Sequence, residues 1–304
     1  MVAFALNHMT VARAPFAVLL ETAVALGMVG VECRNDLPQP LFDGLAPEAA
    51  RERLQDRGLR LLALAEVKRF NDWSADKAAE ALSLMKTARA AGAEAVSLIP
   101  RNDNQGMGNG ERQANLRVAL RELKPMLEDH GLVGLVEPLG FATCPLREKS
   151  EAVEAIEALG AKGRFRLVHD TFHHFLAGGG PLFADHTGLV HISGVIEPAI
   201  AAHQMTDAHR LLVDGRDRLG NLDQIAALRA AGYDGPLSFE AFAPETHAAP
   251  DPVASLAASM QFIRSALARA AACRAARQRS PPARRRGPFP EKNRARRTPD
   301  GRSN

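Results

Sequence analysis

Cysteine is scarce in this chain of 304 residues: Cys33, Cys144 and Cys273 stand far apart and odd in number. Such a set provides neither a disulfide framework nor a thiolate zinc site. A chain of this length buries roughly three quarters of its surface and needs no such staples. Long hydrophobic runs are missing as well. Glu, Arg or Gly interrupts each one well short of the roughly 18 residues a membrane span requires. The opening MVAFALNHMT has no basic lead and no cleavage-type end, so no secretory signal is expected. Also lacking is a G-x-G-x-x-G after the first apolar run, where Asn7-His8-Met9 stand instead. That argues against a doubly wound dinucleotide-binding sheet. These absences predict a soluble, reduced, cytoplasmic protein.

Charge is unevenly spread. The net charge of +3 conceals a segment from Arg274 onward with 11 Lys+Arg and 2 Asp+Glu, leaving an acidic body of net −6. The segment 274–304 is rich in Arg and Pro and poor in apolar residues, so a disordered basic tail is expected there. An acidic body disfavours a nucleic-acid partner.

What the sequence does contain is a repeat. Helical stretches end in Gly27, Gly58, Gly92, Gly131, Gly160 and Gly232, and a short β-rich run follows each. Glycine suits a helix end because the left-handed conformation costs it nothing. Most of the intervals fit one βα unit, and the longest fits two, with a strand near Gly188 inside it. Strands are therefore expected near Val2, Val29, Leu61, Ala95, Leu132, Phe165, Gly188 and Pro236. Strands alternating with helices pair in parallel. Eight units predict a single α/β domain, a (β/α)8 TIM barrel over residues 1–270.

Active sites of such barrels lie at the C-terminal strand ends. Glu137, Asp170, His191 and Glu240 end strands 5 to 8, each after an apolar run. Three buried carboxylates and one imidazole cannot satisfy one another, and a divalent cation resolves the conflict. The donor set suits Mn2+, Mg2+, Co2+ or Zn2+ with positions left open. His173, three residues after Asp170, is placed to reach back over the strand end as a positioning or substrate-binding group. His169 alternates away from Asp170 and is expected to be structural, and His174 to be solvated.

These residues resemble the sugar-phosphate isomerase/epimerase family of xylose-isomerase-like barrels, and within it the inosose (2-keto-myo-inositol) isomerases of inositol catabolism. The motifs VEPLG, HDTFHHFLAGG, VHIS, T-D-A-H-R and LRAAGYDGPLSFEAFAPE carry the likeness, which runs from about Val2 to Pro244. The resemblance implies one divalent metal, Mn2+ first, held by Glu137, Asp170, His191 and Glu240. It implies His173 as a close partner and Arg210 as a contact for substrate oxygens. The chain departs from the pattern after the strand-7 His, where Ser193 and Gly194 replace acidic residues, and in VDGRDRLGN. Endonucleases of the same superfamily use three metals. The places of their extra ligands here hold Arg34, Glu66, Lys68 and Arg101, although Asp207 and His209 keep a D-x-H pair.

The chemistry so implied is isomerisation or epimerisation of a ketopolyol or keto-sugar through an enediolate, inosose being the leading substrate. Glu137 or Glu240 moves the proton, with His173 beside them. Arg34, Arg210, Asn7 and Asn71 bind substrate hydroxyls. A dehydratase of the inosose or 3-dehydroshikimate type, a hydroxypyruvate isomerase and a ketose 3-epimerase are the alternatives. The loop from Arg101 to Gln113 has the composition of a lid. Trp73 is placed either on the pocket wall or against a helix. Barrels of this kind also pair into homo-oligomers through helical faces.

Overall fold

The computed structural model describes residues 2–279. Its strands are β1 (Phe4–Asn7), β2 (Gly30–Arg34), β3 (Arg60–Lys68), β4 (Ala95–Ile99), β5 (Val133–Val136), β6 (Phe165–Asp170), β7 (Thr187–Ile192) and β8 (Leu237–Phe239). They close into a barrel in chain order, every neighbouring pair parallel. The helices are α1 (Phe16–Ala25), α2 (Pro47–Gln55), α3 (Ala75–Ala91), α4 (Asn109–His130), α5 (Lys149–Ala158), α6 (Thr171–Leu176), α7 (Asn221–Ala230), α8 (Pro244–His247) and α9 (Pro252–Arg279). The TIM barrel read from the glycine repeat is therefore the fold.

Gly92 (φ 73°) and Gly131 (φ 66°) show why the repeat is legible. Each ends a helix in the left-handed region, and its N–H returns to the last-turn carbonyls. A side chain there would cost roughly 1–2 kcal/mol.

Alternation along each strand sorts the barrel into layers. Outward residues such as Leu6, Val31, Val136 and Val190 pack against the helices in the main core. Inward residues Ala5, Leu62, Ala95, Leu135, Val168 and Leu189, drawn from six strands, form an apolar plug. Each buried Leu or Val there contributes roughly 1.5–3 kcal/mol. Two residues further along, the same inward face carries Asn7, Glu137, Asp170 and His191, all buried. The polar layer thus stands directly on the apolar one.

One connection departs from the repeat. Between β6 and β7 only the short α6 and a single 3-10 turn, Ala184–His186, form. Gly178, Gly179 and Gly180, all at positive φ, then lead through Pro181 into β7. No long helix covers the wall at that point.

The compact unit ends at Leu267. Helix α9 continues to Arg279, so Arg274–Arg279, assigned to the basic tail on composition, are helical. Alanine and arginine are strong helix formers, which accounts for the extension. The remainder of the expected disordered tail, 280–304, lies outside the described residues. Among the described residues no helix is long and apolar enough to cross a membrane. Cys33 and Cys144 are buried free thiols.

Candidate metal centre

Strand register assembles the site. Asp170 pairs with His191, His191 with Ser238, and Asn7 with Glu32. Glu137 and Glu240 extend the ladder, their N–H groups donating to Leu98 O at 3.2 Å and Ile192 O at 3.1 Å. Period-two alternation turns all these side chains inward. One donor atom from each of Glu137, Asp170, His191 and Glu240 lies within 4.8 Å of the others, and all four residues are buried.

His191 sits at the middle. Its Nδ1 is 3.1 Å from Glu240 Oε2, 3.5 Å from Glu137 Oε1 and 4.0 Å from Asp170 Oδ2. That nitrogen has no hydrogen-bond partner, although it is fully buried. Its other face is occupied: Nε2 lies 3.1 Å from a Glu32 oxygen, and Ser238 Oγ donates to the second oxygen of the same carboxylate. Glu32 therefore accepts from Nε2–H and leaves Nδ1 as the free donor for a metal. Its role was not apparent in the sequence, although GVECR places Glu32 and Arg34 on the same inward face.

The residues present fit a divalent ion. Four carboxylates, Glu32, Glu137, Asp170 and Glu240, approach His191 within 4.0 Å. Two buried guanidiniums, Arg34 and Arg210, reach this group. Carboxylates outnumber guanidiniums in this desolvated place, where uncompensated charge is costly. Three carboxylate oxygens and one imidazole nitrogen suit Mg2+, Mn2+, Co2+ or Zn2+. Glu137, Asp170, His191 and Glu240 form one divalent-metal site.

Neighbouring side chains hold the ligands. Asp170 caps α6: its Oδ1 accepts from Phe172 N (2.7 Å) and His173 N (2.9 Å), while Oδ2 faces Arg210. Asn7 donates to Glu240 Oε1 at 3.2 Å, and Arg34 Nη1 donates to the same oxygen at 2.9 Å. Arg210 Nη2 donates to Glu240 Oε2 at 2.9 Å and also to Asp170; its Nε donates to Ser193 at 3.0 Å. Ser193 thus anchors Arg210. The guanidinium lies over the Phe242 ring at 4.5 Å. His173 Nδ1 accepts from Gly140 N–H at 3.2 Å, which leaves Nε2–H as a donor.

A cavity of about 450 Å³ opens above the ligands. Glu137, Glu240, Arg34, Arg210, His173 and Glu66 line it, with Leu139, Phe141 and Phe242 as apolar wall. Asn7 acts on Glu240 without lining the cavity. Asn71 is not brought to it: the buried Asn71 Oδ1 accepts from Arg101 N–H at 2.8 Å and ties two loops together. Trp73 packs against the main core rather than on the cavity wall. The segment after β4 contributes Asn102 and Asp103 to the rim, and the Arg101–Asp103 and Arg69–Asp103 pairs hold it. His169 is structural, as alternation predicts, with Nε2 2.9 Å from Gln224 Oε1. His174 corrects its expectation. It is buried, its ring 4.8 Å from that of His169, because the short α6 turns it back against the barrel wall.

Burial pushes the Glu137 carboxyl up to about 7, with His191 opposing and Glu240 adding to the rise. Glu66 is likewise pushed up to about 7 by burial, against the pull of Arg34. At Glu240 burial is outweighed by His191, Arg210 and Arg34, which hold it below the usual carboxylate range. Burial lowers His173, so a neutral imidazole faces the cavity.

A family model described as xylose isomerase-like TIM barrel matches residues 20–266. No curated protein matches the sequence. Among solved structures, the chain is similar to a xylose isomerase domain-containing protein from Salmonella typhimurium LT2. Identity is 26%, coverage is 88% of this chain and 97% of that one, and the TM-score is 0.80. It is also similar to the IolI protein with a bound zinc atom, at 20% identity, 88% and 99% coverage and a TM-score of 0.77. L-ribulose 3-epimerase follows at 19% identity, 94% and 100% coverage and a TM-score of 0.64. With the family model spanning most of its length and a metal-ligand group at the C-terminal mouth of its barrel, the chain belongs to the xylose isomerase-like TIM barrel family.

Proposed function

We propose that the protein is a divalent-metal-dependent isomerase or epimerase of a ketopolyol or keto-sugar, with inosose as leading substrate and Mn2+ as leading metal. One observation carries the reading: four ligand atoms lie within 4.8 Å of one another, and two of their residues, Glu137 and Glu240, line a cavity of about 450 Å³, room for a small polyol. Structural similarity to L-ribulose 3-epimerase and to the zinc-binding IolI protein supports it.

A divalent ion held by Glu137, Asp170, His191 and Glu240 supplies Lewis-acid polarisation of a carbonyl. The protein's own groups do the rest. Glu137 and Glu240 reach the cavity from β5 and β8 and are the carboxylates available to take the proton α to the ketone. Returning it to the adjacent carbon moves the ketone, whereas returning it to the opposite face inverts the centre. Arg34, Arg210 and the Nε2–H of His173 donate to substrate oxygens and stabilise developing enediolate charge. Leu139, Phe141 and Phe242 exclude water from one side.

The test is NMR of inosose, tagatose and hydroxypyruvate incubated with the protein and Mn2+ in D2O. Deuterium entering the carbon next to the carbonyl, together with an isomeric product, supports the reading. Water loss with a new conjugated-carbonyl absorbance would move the assignment to a dehydratase. No exchange with any of the three substrates would overturn it.

A further inference from the structure

We propose a second ligand site, for a small oxyanion, between the end of β6 and the starts of α5 and α6, with Lys149 and His174 as its recognition groups. A cavity of about 180 Å³ lies there, bounded by the start of α5, by α6, by the Gly178–Gly180 turn and by Val168 and the metal ligand Asp170 at the end of β6. It exists because the β6–β7 connection lacks a long covering helix.

Lys149 lines this cavity and is only 8% exposed. Its Nζ meets one protein group, His169 Nδ1, at 2.6 Å. Among the described residues no carboxylate lies within ion-pair distance of it, whereas the buried Arg34 and Arg210 each meet three. An ammonium has three donors, and His169 accepts one, so two remain unused. His174 lines the same cavity, 8% exposed, and its Nδ1 has no partner. The first turn of α5 begins at Lys149 without a side-chain cap, which adds free backbone N–H groups.

The other charged groups at the cavity are committed. Arg147 donates to Gly140 O and Leu176 O. Asp170 is bound to the α6 amides and Arg210. Glu148 lies exposed at the rim and makes no pair with Lys149. A buried amine with spare hydrogen-bonding capacity and no carboxylate within ion-pair distance suits an anion that accepts several hydrogen bonds and favours the ammonium form, which describes a tetrahedral oxyanion. A cation disfavours the ammonium form, and a neutral ligand offers it no compensating charge. Burial pushes Lys149 down to about 7, and a bound anion restores its ammonium form.

The probe is selenate, added to the full-length, metal-loaded protein. A saturable isotherm by titration calorimetry is expected, with an anomalous selenium peak within hydrogen-bonding distance of Lys149 Nζ in soaked crystals. Lys149→Met should weaken binding at least about tenfold and erase the peak, while its manganese affinity stays unchanged. Lys149→Arg should keep binding. His174→Phe retains a ring without the nitrogen and should weaken binding as well; it carries the test if Lys149→Met does not fold. The proposal fails if no saturable binding occurs, if soaking shows an adventitious ion only, if the peak lies solely at the metal centre, or if both variants bind like the parent.

Discussion

His191 is held at both ring nitrogens, and the two sides do different work. The Glu32 side sets the tautomer, and the other side presents Nδ1 to the metal. Glu32→Gln retains an acceptor for Nε2–H but removes the charge that makes the ring a better ligand. Its Mn2+ affinity should fall roughly 10- to 100-fold, measured by calorimetry, with the metal-free melting curve little changed. Glu240→Gln removes a ligand and a candidate proton carrier together, so turnover should disappear and metal binding weaken; full activity in that variant would refute the site. Lys149 yields a pH prediction. Its amine is pushed from the ordinary 10.5 down to about 7, by burial above all. Between those values the unfolded chain binds a proton that the folded chain lacks, so this residue makes stability rise with pH. In anion-free buffer Lys149→Met should gain most over the parent at pH 7 or below, by an amount on the order of a few kcal/mol. The gain should fade towards pH 10, as followed by urea unfolding; parallel curves would contradict the assignment.

Elements differ in how closely they press on the site, and two glycines show it. A Cβ at Gly131 meets nothing within 4 Å, so Gly131→Ala carries only the left-handed strain at the end of α4. It should cost roughly 1–2 kcal/mol of stability and leave metal affinity alone. A Cβ at Gly140 collides with His173 O and comes within 2.6 Å of Leu176 Cβ. Gly140→Ala must displace α6, which carries His173 and is capped by the ligand Asp170. Metal affinity should then fall along with stability, a combination that separates the two substitutions in one calorimetric series. The glycine after each helix was readable because left-handed backbone is a local demand. The burial of His174 was not, because it depends on how far α6 extends before the glycine turn.

For the molecule as a whole, the metal centre draws on residues from Asn7 to Phe242 and joins strands from both halves of the chain. A ligand that binds only the closed barrel stabilises all of it. Mn2+ at 100 times its dissociation constant should therefore add about 2.7 kcal/mol and raise the melting temperature, an effect that chelation should reverse and, at the same Mn2+ concentration, Glu240→Gln should diminish. Deleting residues 280–304 removes none of these side chains and should leave Mn2+ affinity and turnover as they are.

Sequence alone was sufficient for the eight-unit barrel and for the four ligands. Both follow from short-range rules: a glycine where the helix must end, an apolar run where the strand must be buried, and a charged residue at its C-terminal tip. Only the tertiary structure decided which charges neutralise which. Glu32 meets His191 across 159 positions of chain, Arg34 meets Glu240 across 206, and Asn71 is diverted to a loop backbone. Electrostatic and hydrogen-bonding partners are chosen by distance in space after closure of the barrel, and no local periodicity encodes that distance.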